Sequence, residues 1–270
     1  MCELFGLSSR TPTAVAFSLE RFAQRGGLHG RTLDGWGLAF YDGSDIRLFR
    51  EPEPARDSVW LPFIEQRRVP SALVVSHIRH ATQGRVALSN TQPFARELGG
   101  RMHCFAHNGK LVGIEKLEDK RPHRFSPIGE TDSEMAACLL FERLLQLWIR
   151  DRPPRVDERV TLIATFAADL RKCGPANFLY ADGDLLVAHG HRRIQSDGRI
   201  APPGLWYLQR RCAVDRDALP ESGVRLAPES EGQQLTLFAS VPLTEEDWVP
   251  LEEGELIVAQ GGQIVTSQRS

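Results

Sequence analysis

Cys2 stands directly behind the initiator methionine. Small second residues permit removal of Met1, and the new terminus would then carry a thiol and an α-amine on one residue. With reference pKa values of about 8.5 for the thiol and about 7.7 to 8.0 for the amine, the amine can relay the thiol's proton near neutral pH, through a water. Such a nucleophile needs no second side chain to activate it. Cys2 can equally be an ordinary strand residue, so the rest of the chain has to decide.

Three other stretches offer complementary chemistry. Asn108-Gly109 reads as a tight turn, and also as a side-chain amide and a backbone N–H aimed at one point, an arrangement that can hold an oxyanion. Arg79 lies at the end of an apolar strand, where a cation needs a partner because an unpaired buried charge is costly. Asp132 precedes an apolar helix and is either a capping carboxylate or an anion available to a ligand. A nucleophile with its own base, an oxyanion donor pair, a cation and a carboxylate together meet the needs of acyl transfer from an amino-acid-like substrate. The arginine's forked donors would suit an α-carboxylate and the aspartate an α-ammonium.

The elements that must position these groups follow from periodicity. Residues 2–7 read as a buried strand, and Thr11-Pro12 as the start of a helix running to Gln24, ended by Gly26-Gly27. Residues 26–37 carry five glycines with His29, Arg31 and Asp34 among them, either a loop that approaches a ligand closely or a flexible connection. A hairpin is expected around Asp42-Gly43, a helix interrupted by Pro62 over residues 55–68, and buried strands over 72–82 and 102–106. A strong helix should begin at Thr131 or Asp132 and a second should cover residues 160–170, with a break at Pro153-Pro154 between them. Strands are expected at 176–180, 185–188, 205–208, 235–241, 256–259 and 264–266. Strands, two adjacent helices and then strands again imply two antiparallel sheets with helices outside.

The chain resembles the class II glutamine amidotransferases, members of the N-terminal-nucleophile (Ntn) hydrolases. The resemblance rests on Cys2, on Arg25 to Gly27 with the glycine loop and Asp34-Gly35-Trp36-Gly37, and on Arg79 with Ala81-Thr82 and Gly84. It rests also on His107-Asn108-Gly109 and Thr131-Asp132-Ser133-Glu134, all in family order and spacing. Within the family it looks most like the stand-alone, YafJ-like group. The resemblance implies an α+β fold, a four-layer αββα sandwich of two antiparallel sheets, formed by residues 1–270 as one domain. It implies Cys2 as nucleophile with its own α-amine as base, Asn108 and Gly109 as the oxyanion hole, Arg79 on the glutamine carboxylate and Asp132 on its amine. Thr82 would line the same pocket and Arg25 would lie in a loop closing over glutamine. His80 stands where many relatives carry Trp, so no role is carried over to it.

The implied reaction is hydrolysis of the glutamine side-chain amide through a γ-glutamyl thioester, giving glutamate and ammonia, with no cofactor and no metal. No ammonia-using domain is expected after the fold, so ammonia would pass to a separate synthase, or the enzyme would simply hydrolyse a γ-glutamyl amide. Two other readings use the same residues: hydrolysis of a larger γ-glutamyl conjugate, and a non-catalytic glutamine-binding regulatory protein. A metal site is a third alternative, but on a strand His103 and His107 lie too far apart for one ion without other ligands and Cys104 points the other way, while His189-Gly190-His191 is equally nonspecific.

Composition agrees with this picture. Of the 270 residues, 41% are hydrophobic and 25% charged, as in globular proteins. A net charge of −2 gives no electrostatic reason to expect nucleic acid or an anionic membrane as partner. Five scattered cysteines form neither a disulfide framework nor a zinc knuckle and fit a reducing cytoplasm, and no leader or membrane span is expected.

Overall fold

The computed structural model describes residues 2–17, 34–80, 84–118, 123–148, 152–195, 197–212, 224–226 and 233–269. Arg25, Thr82, and the glycine loop up to residue 33 lie outside the described residues.

The first sheet is built from β1 (Glu3–Phe17), β2 (Trp36–Asp42), β3 (Asp45–Glu51) and β4 (Pro70–Ile78). The second begins with β5 (Phe94–Leu98) and β6 (Arg101–Asn108), and gains β7 (Asn177–Ala181) and β8 (Leu185–His189). A small ribbon, β9 (Arg193–Ile194) with β10 (Ile200–Ala201), follows. The chain then returns to the first sheet with β11 (Trp206–Cys212), β12 (Val224–Leu226), β13 (Gln233–Ala239) and β14 (Val249–Pro250), and ends in the second with β15 (Glu255–Gln260) and β16 (Gln263–Arg269). Among the described residues the sheet orders are β14-β11-β13-β1-β4-β2-β3, with β12 on β1, and β16-β15-β8-β7-β6-β5.

Period-2 alternation sorts the side chains into three apolar layers. Leu4, Ala39, Val75, Ala106, Leu179 and Ala188 meet between the sheets. Phe5, Leu7, Val74 and Leu237 face the other way and are covered by Ala55, Leu61 and Ile64, the last two from helix α1 (Trp60–Arg67). On the far side, Phe105, Phe178 and Val187 pack against Phe141, Leu144, Ile163 and Phe166 of α2 (Asp132–Leu145) and α3 (Val156–Cys173). Buried Arg159 pins α3 to the β7–β8 turn through Asp182 at 2.9 Å and Asp184 at 2.8 Å. The architecture is thus α+β, an αββα sandwich of two antiparallel sheets.

Two local expectations fail. Over residues 11–17 the helix predicted from Thr11 to Gln24 is replaced by strand: β1 continues through Phe17, with a bulge between Ser8 and Thr13, because Thr13 and Ala14 pair with Ser71 and Pro70 while Val15 to Phe17 pair with β12. The rest of that prediction, from residue 18, lies outside the described residues. In the sequence, Thr11, Thr13, Val15 and Phe17 alternate as a strand should, and Thr11-Pro12 merely imitates a helix start. Pro62 does not interrupt α1 either. It is the third helical residue after the N-cap Val59, in the first turn, where a missing N–H costs nothing.

Candidate active site

The register of β1 against β4 pairs Glu3 with Ile78 and Leu4 with His77. Leu4 and Val75 point into the layer between the sheets, so alternation sends Cys2 and Arg79 to that same layer. In the second sheet Cys104 and Ala106 face the layer, and Asn108, two residues further on, faces it too. Two strands from different sheets therefore present Cys2 and Asn108 to each other, and the Asn108 Nδ2 donates to the Cys2 carbonyl oxygen at 2.6 Å.

The thiol rests against the end of β4. The His80 amide donates to Cys2 Sγ at 3.3 Å, and Sγ stands 3.5 Å from the His80 carbonyl oxygen. Burial pushes the Cys2 thiol above its ordinary value, opposed by the lowering effect of the His80 amide. A thiol held this way keeps its proton near neutral pH unless a base takes it. The half-buried His80 ring turns away, with Nδ1 3.7 Å from Asp34 Oδ2.

Arg79 is 3% exposed, and its Nη2 donates to the Gly84 carbonyl at 3.1 Å. Its backbone extends the ladder beyond β4, donating to Gly35 O at 2.8 Å and accepting from Asp34 N at 3.0 Å. This ties the Asp34-Gly35-Trp36-Gly37 stretch to the site. A Cβ on Gly37 would overlap the Gln92 carbonyl, so glycine there lets the residue 92 segment close against β2. The Gln92 side chain then grips the backbone beside Asn108, accepting from His107 N at 2.6 Å and donating to His107 O at 3.1 Å.

Beyond Asn108 the chain turns sharply. A Cβ on Gly109 would overlap the Pro175 carbonyl oxygen, so no other residue fits without moving that loop. Thr131 takes the capping role of α2, its hydroxyl accepting from Glu134 N at 3.2 Å. Asp132 is thereby released from capping: Oδ2 accepts from Leu111 N at 2.7 Å and Oδ1 from Ser133 N at 2.8 Å. Ser133 Oγ lies 2.9 Å from His107 Nδ1, which links the start of α2 to the strand bearing Asn108. An open cleft of about 590 Å³ is lined by Lys110, Leu111, Gly129, Thr131, Asp132 and Met135. The structure thus brings Cys2, Asn108 and the Arg79-His80 backbone together directly, and joins Asp132 to them through the residue 107–111 turn.

Sequence reasoning missed Glu3, Asn177 and Arg193. Glu3 and Asn177 are fully buried. The available signal was a polar residue set inside or beside an apolar strand run. The histidines weighed as metal ligands are core residues: His103 Nδ1 lies 2.7 Å from the Tyr180 hydroxyl and its ring packs edge-on to Trp148, while His189 Nδ1 lies 2.7 Å from the Ala176 carbonyl. Among the described residues no group of three or more His, Cys, Asp or Glu is placed to hold a metal ion. Nor is any described helix long and apolar enough to cross a membrane.

Known proteins resemble this chain over its length. Residues 1–270 match the family described as glutamine amidotransferases class-II. YafJ of Escherichia coli (strain K12), provisionally named a glutamine amidotransferase, is 38% identical over 94% of this chain and 96% of its own. The crystal structure of a predicted glutamine amidotransferase from Pseudomonas aeruginosa PA01 superposes with a TM-score of 0.71 at 31% identity, covering 98% of this chain and 100% of that one. The glutamine phosphoribosylpyrophosphate amidotransferase of B. subtilis has a TM-score of 0.57 at 16% identity, covering 99% of this chain and 49% of that one, a likeness of fold. With the family matched from end to end and a full-length relative at this identity, the chain belongs to the class II glutamine amidotransferases.

Proposed function

We propose that this protein hydrolyses the side-chain amide of L-glutamine, with residues 1–270 acting as one domain and Cys2 as the N-terminal nucleophile once Met1 is removed. The observation that carries the reading is the meeting of Cys2 and Asn108 across the two sheets, within 2.6 Å at the Cys2 carbonyl.

In the first half-reaction the α-amine takes the thiol proton and Sγ attacks the amide carbon. Asn108 and the Gly109 N–H stabilise the resulting oxyanion. The amine then returns its proton to the departing nitrogen, the C–N bond breaks, ammonia leaves, and a γ-glutamyl thioester remains on Cys2. In the second half, water attacks the thioester, the C–S bond breaks, and glutamate and the free thiol are regenerated. Arg79 pairs with the substrate α-carboxylate and Asp132 with its α-ammonium, while Thr82 and Arg25, outside the described residues, complete the pocket. The ammonia is released, or passed to a separate acceptor enzyme. The steps need no cofactor, and the protein works in the cytoplasm.

The test combines two measurements on the purified protein: ammonia release from glutamine, and the mass of the N-terminal peptide after treatment with a diazo-ketone analogue of glutamine. The reading expects turnover and a label on Cys2 in a peptide lacking Met1. Turnover that survives Cys2→Ala overturns it. Tight glutamine binding without ammonia release would instead mark a regulatory binding protein, and turnover confined to bulkier γ-glutamyl amides a conjugate hydrolase.

A further inference from the structure

Three buried polar residues outside the proposed reaction centre are linked to one another and to both of its key groups. Glu3, next to the nucleophile, points to the opposite side of its strand and pairs with Arg193 Nη2 at 2.9 Å; the two side chains are 0% and 6% exposed. Arg193 also donates to the Ser240 carbonyl. Ser240 in turn clamps the next residue of β1, accepting from Leu4 N on its hydroxyl at 2.9 Å and donating its own N–H to Leu4 O at 3.0 Å.

The second arm starts from Asn177, the partner of Asn108 in the β6–β7 ladder. Its Nδ2 donates to the Asn108 carbonyl at 3.1 Å and to the Arg192 carbonyl at 2.7 Å. Its Oδ1 accepts from His191 N at 2.7 Å. A Cβ on Gly204 would overlap that oxygen, so the amide is held from every side. Tracing these contacts closes a ring: Cys2, Glu3, Arg193, Arg192, Asn177, Asn108, and back to the Cys2 carbonyl through Asn108 Nδ2. The ring runs through both sheets and the β9–β10 ribbon.

We propose that Asn177 and the Glu3–Arg193 pair are positioning residues, whose closed circuit fixes where the Cys2 thiol stands relative to Asn108. The role assigned to Cys2 and Asn108 rests on the function proposed above. A buried ion pair is a poor device for stability alone, because desolvation offsets its attraction. It is an effective one for geometry, since charge-assisted bonds in a dry site tolerate little displacement. Burial lifts the Glu3 carboxyl to about 7 against the pull of Arg193, a sign of how completely this group has left water. Small displacements of reacting groups are expensive in rate, up to about a hundredfold for roughly 1 Å.

The test uses the full-length chain in three forms: Asn177→Ala, Arg193→Lys, and Glu3→Met combined with Arg193→Met. The double substitution removes both charges together and strands neither. Thermal midpoints monitor folding, and glutamine turnover supplies kcat and KM. The rate of Cys2 alkylation by iodoacetamide, measured against half-buried Cys173 in the same sample, reads the thiol's surroundings without any substrate. A positioning role gives folded variants with kcat down about tenfold or more and KM within about twofold. It also changes the Cys2-to-Cys173 alkylation ratio by about threefold or more, with Arg193→Lys intermediate. A folded variant with both kcat and the alkylation ratio of the wild type overturns the proposal, as does a double variant that recovers the wild-type ratio along with its stability. Arg193→Lys keeps the pair's charges, so it carries the comparison where a harsher change prevents folding. If the wild-type protein fails to turn over glutamine, the reading of the reaction falls, and the alkylation ratio still decides whether the circuit governs the thiol.

Discussion

The side-chain amide of Asn108 is hydrogen-bonded to the backbone of Cys2 itself, at 2.6 Å, across the layer between two sheets. On the function proposed above, with Cys2 as nucleophile, this donor would stand within reach of an oxyanion formed on the attacked carbon. Removing a donor of this kind costs about 10² to 10³ in kcat. Asn108→Ala should therefore lower kcat for glutamine by that order with KM little changed. A variant that raises KM and spares kcat would place Asn108 in substrate binding instead.

Burial pushes the Cys2 thiol upward, so at neutral pH the thiol is largely protonated unless a base acts on it. With Met1 removed, the alkylation rate of Cys2 should rise as the α-amine loses its proton and level off above about pH 8, the amine's reference range. A chain with one alanine inserted before Cys2 lacks that amine. Its alkylation should continue to climb into the alkaline range above the ordinary thiol pKa. Superimposable pH profiles for the two proteins would remove the amine from the mechanism.

Arg79 and Asp132 should act on binding rather than on the chemical step. Losing one partner of a buried charge pair costs about 2 kcal/mol or more. Arg79→Gln is thus expected to raise KM for glutamine about thirtyfold or more. Asp132→Asn keeps an acceptor oxygen for only one of the Leu111 and Ser133 amides, which donate to different carboxylate oxygens, and should raise KM, with the thermal midpoint of the variant monitoring its fold. Equal losses in kcat and kcat/KM for either variant would instead assign it to the transition state.

The parts of this molecule that could be read in its sequence are those whose cause is local. The buried run Leu73 to Ile78 and the capped, amphipathic stretch from Thr131 needed no distant partner to be recognised, and both formed. The strand Phe94–Leu98 escaped notice because its alternation is broken by Arg96 and Glu97, and Arg96 finds its partner, Glu134, on α2 at 2.9 Å. Thr13 to Phe17 were misread because their partners lie at Ser71, Pro70 and in β12. Glu3 illustrates the same limit in the site. Beside Cys2 it reads as an anomaly in an apolar strand, and only the return of the chain 190 residues later with Arg193 gives it a purpose. For Asp132 the sequence left cap and ligand both open, and the structure gives the cap to Thr131.

Buried histidines make the fold acid-sensitive in a predictable direction. Burial lowers His77 and His189 to about 3 and His103 to about 4, so each is neutral in the folded chain and protonated in the unfolded one below about pH 6.5. Their contribution to stability is full above the unfolded value and is lost as the pH falls through the folded one. Glu3 runs the other way: its folded value of about 7 favours folding at low pH, and that contribution fades as the pH rises towards 7. Three groups outweigh one, so stability should fall from pH 6.5 to pH 4, by about 1.4 kcal/mol per pH unit for each net proton taken up on unfolding. Urea midpoints measured across that range for the wild type and for His103→Phe separate the terms. The variant loses the Tyr180 contact and starts less stable, yet its midpoint should vary less with pH. A slope equal to that of the wild type would mean that His103 is not held neutral in the folded protein.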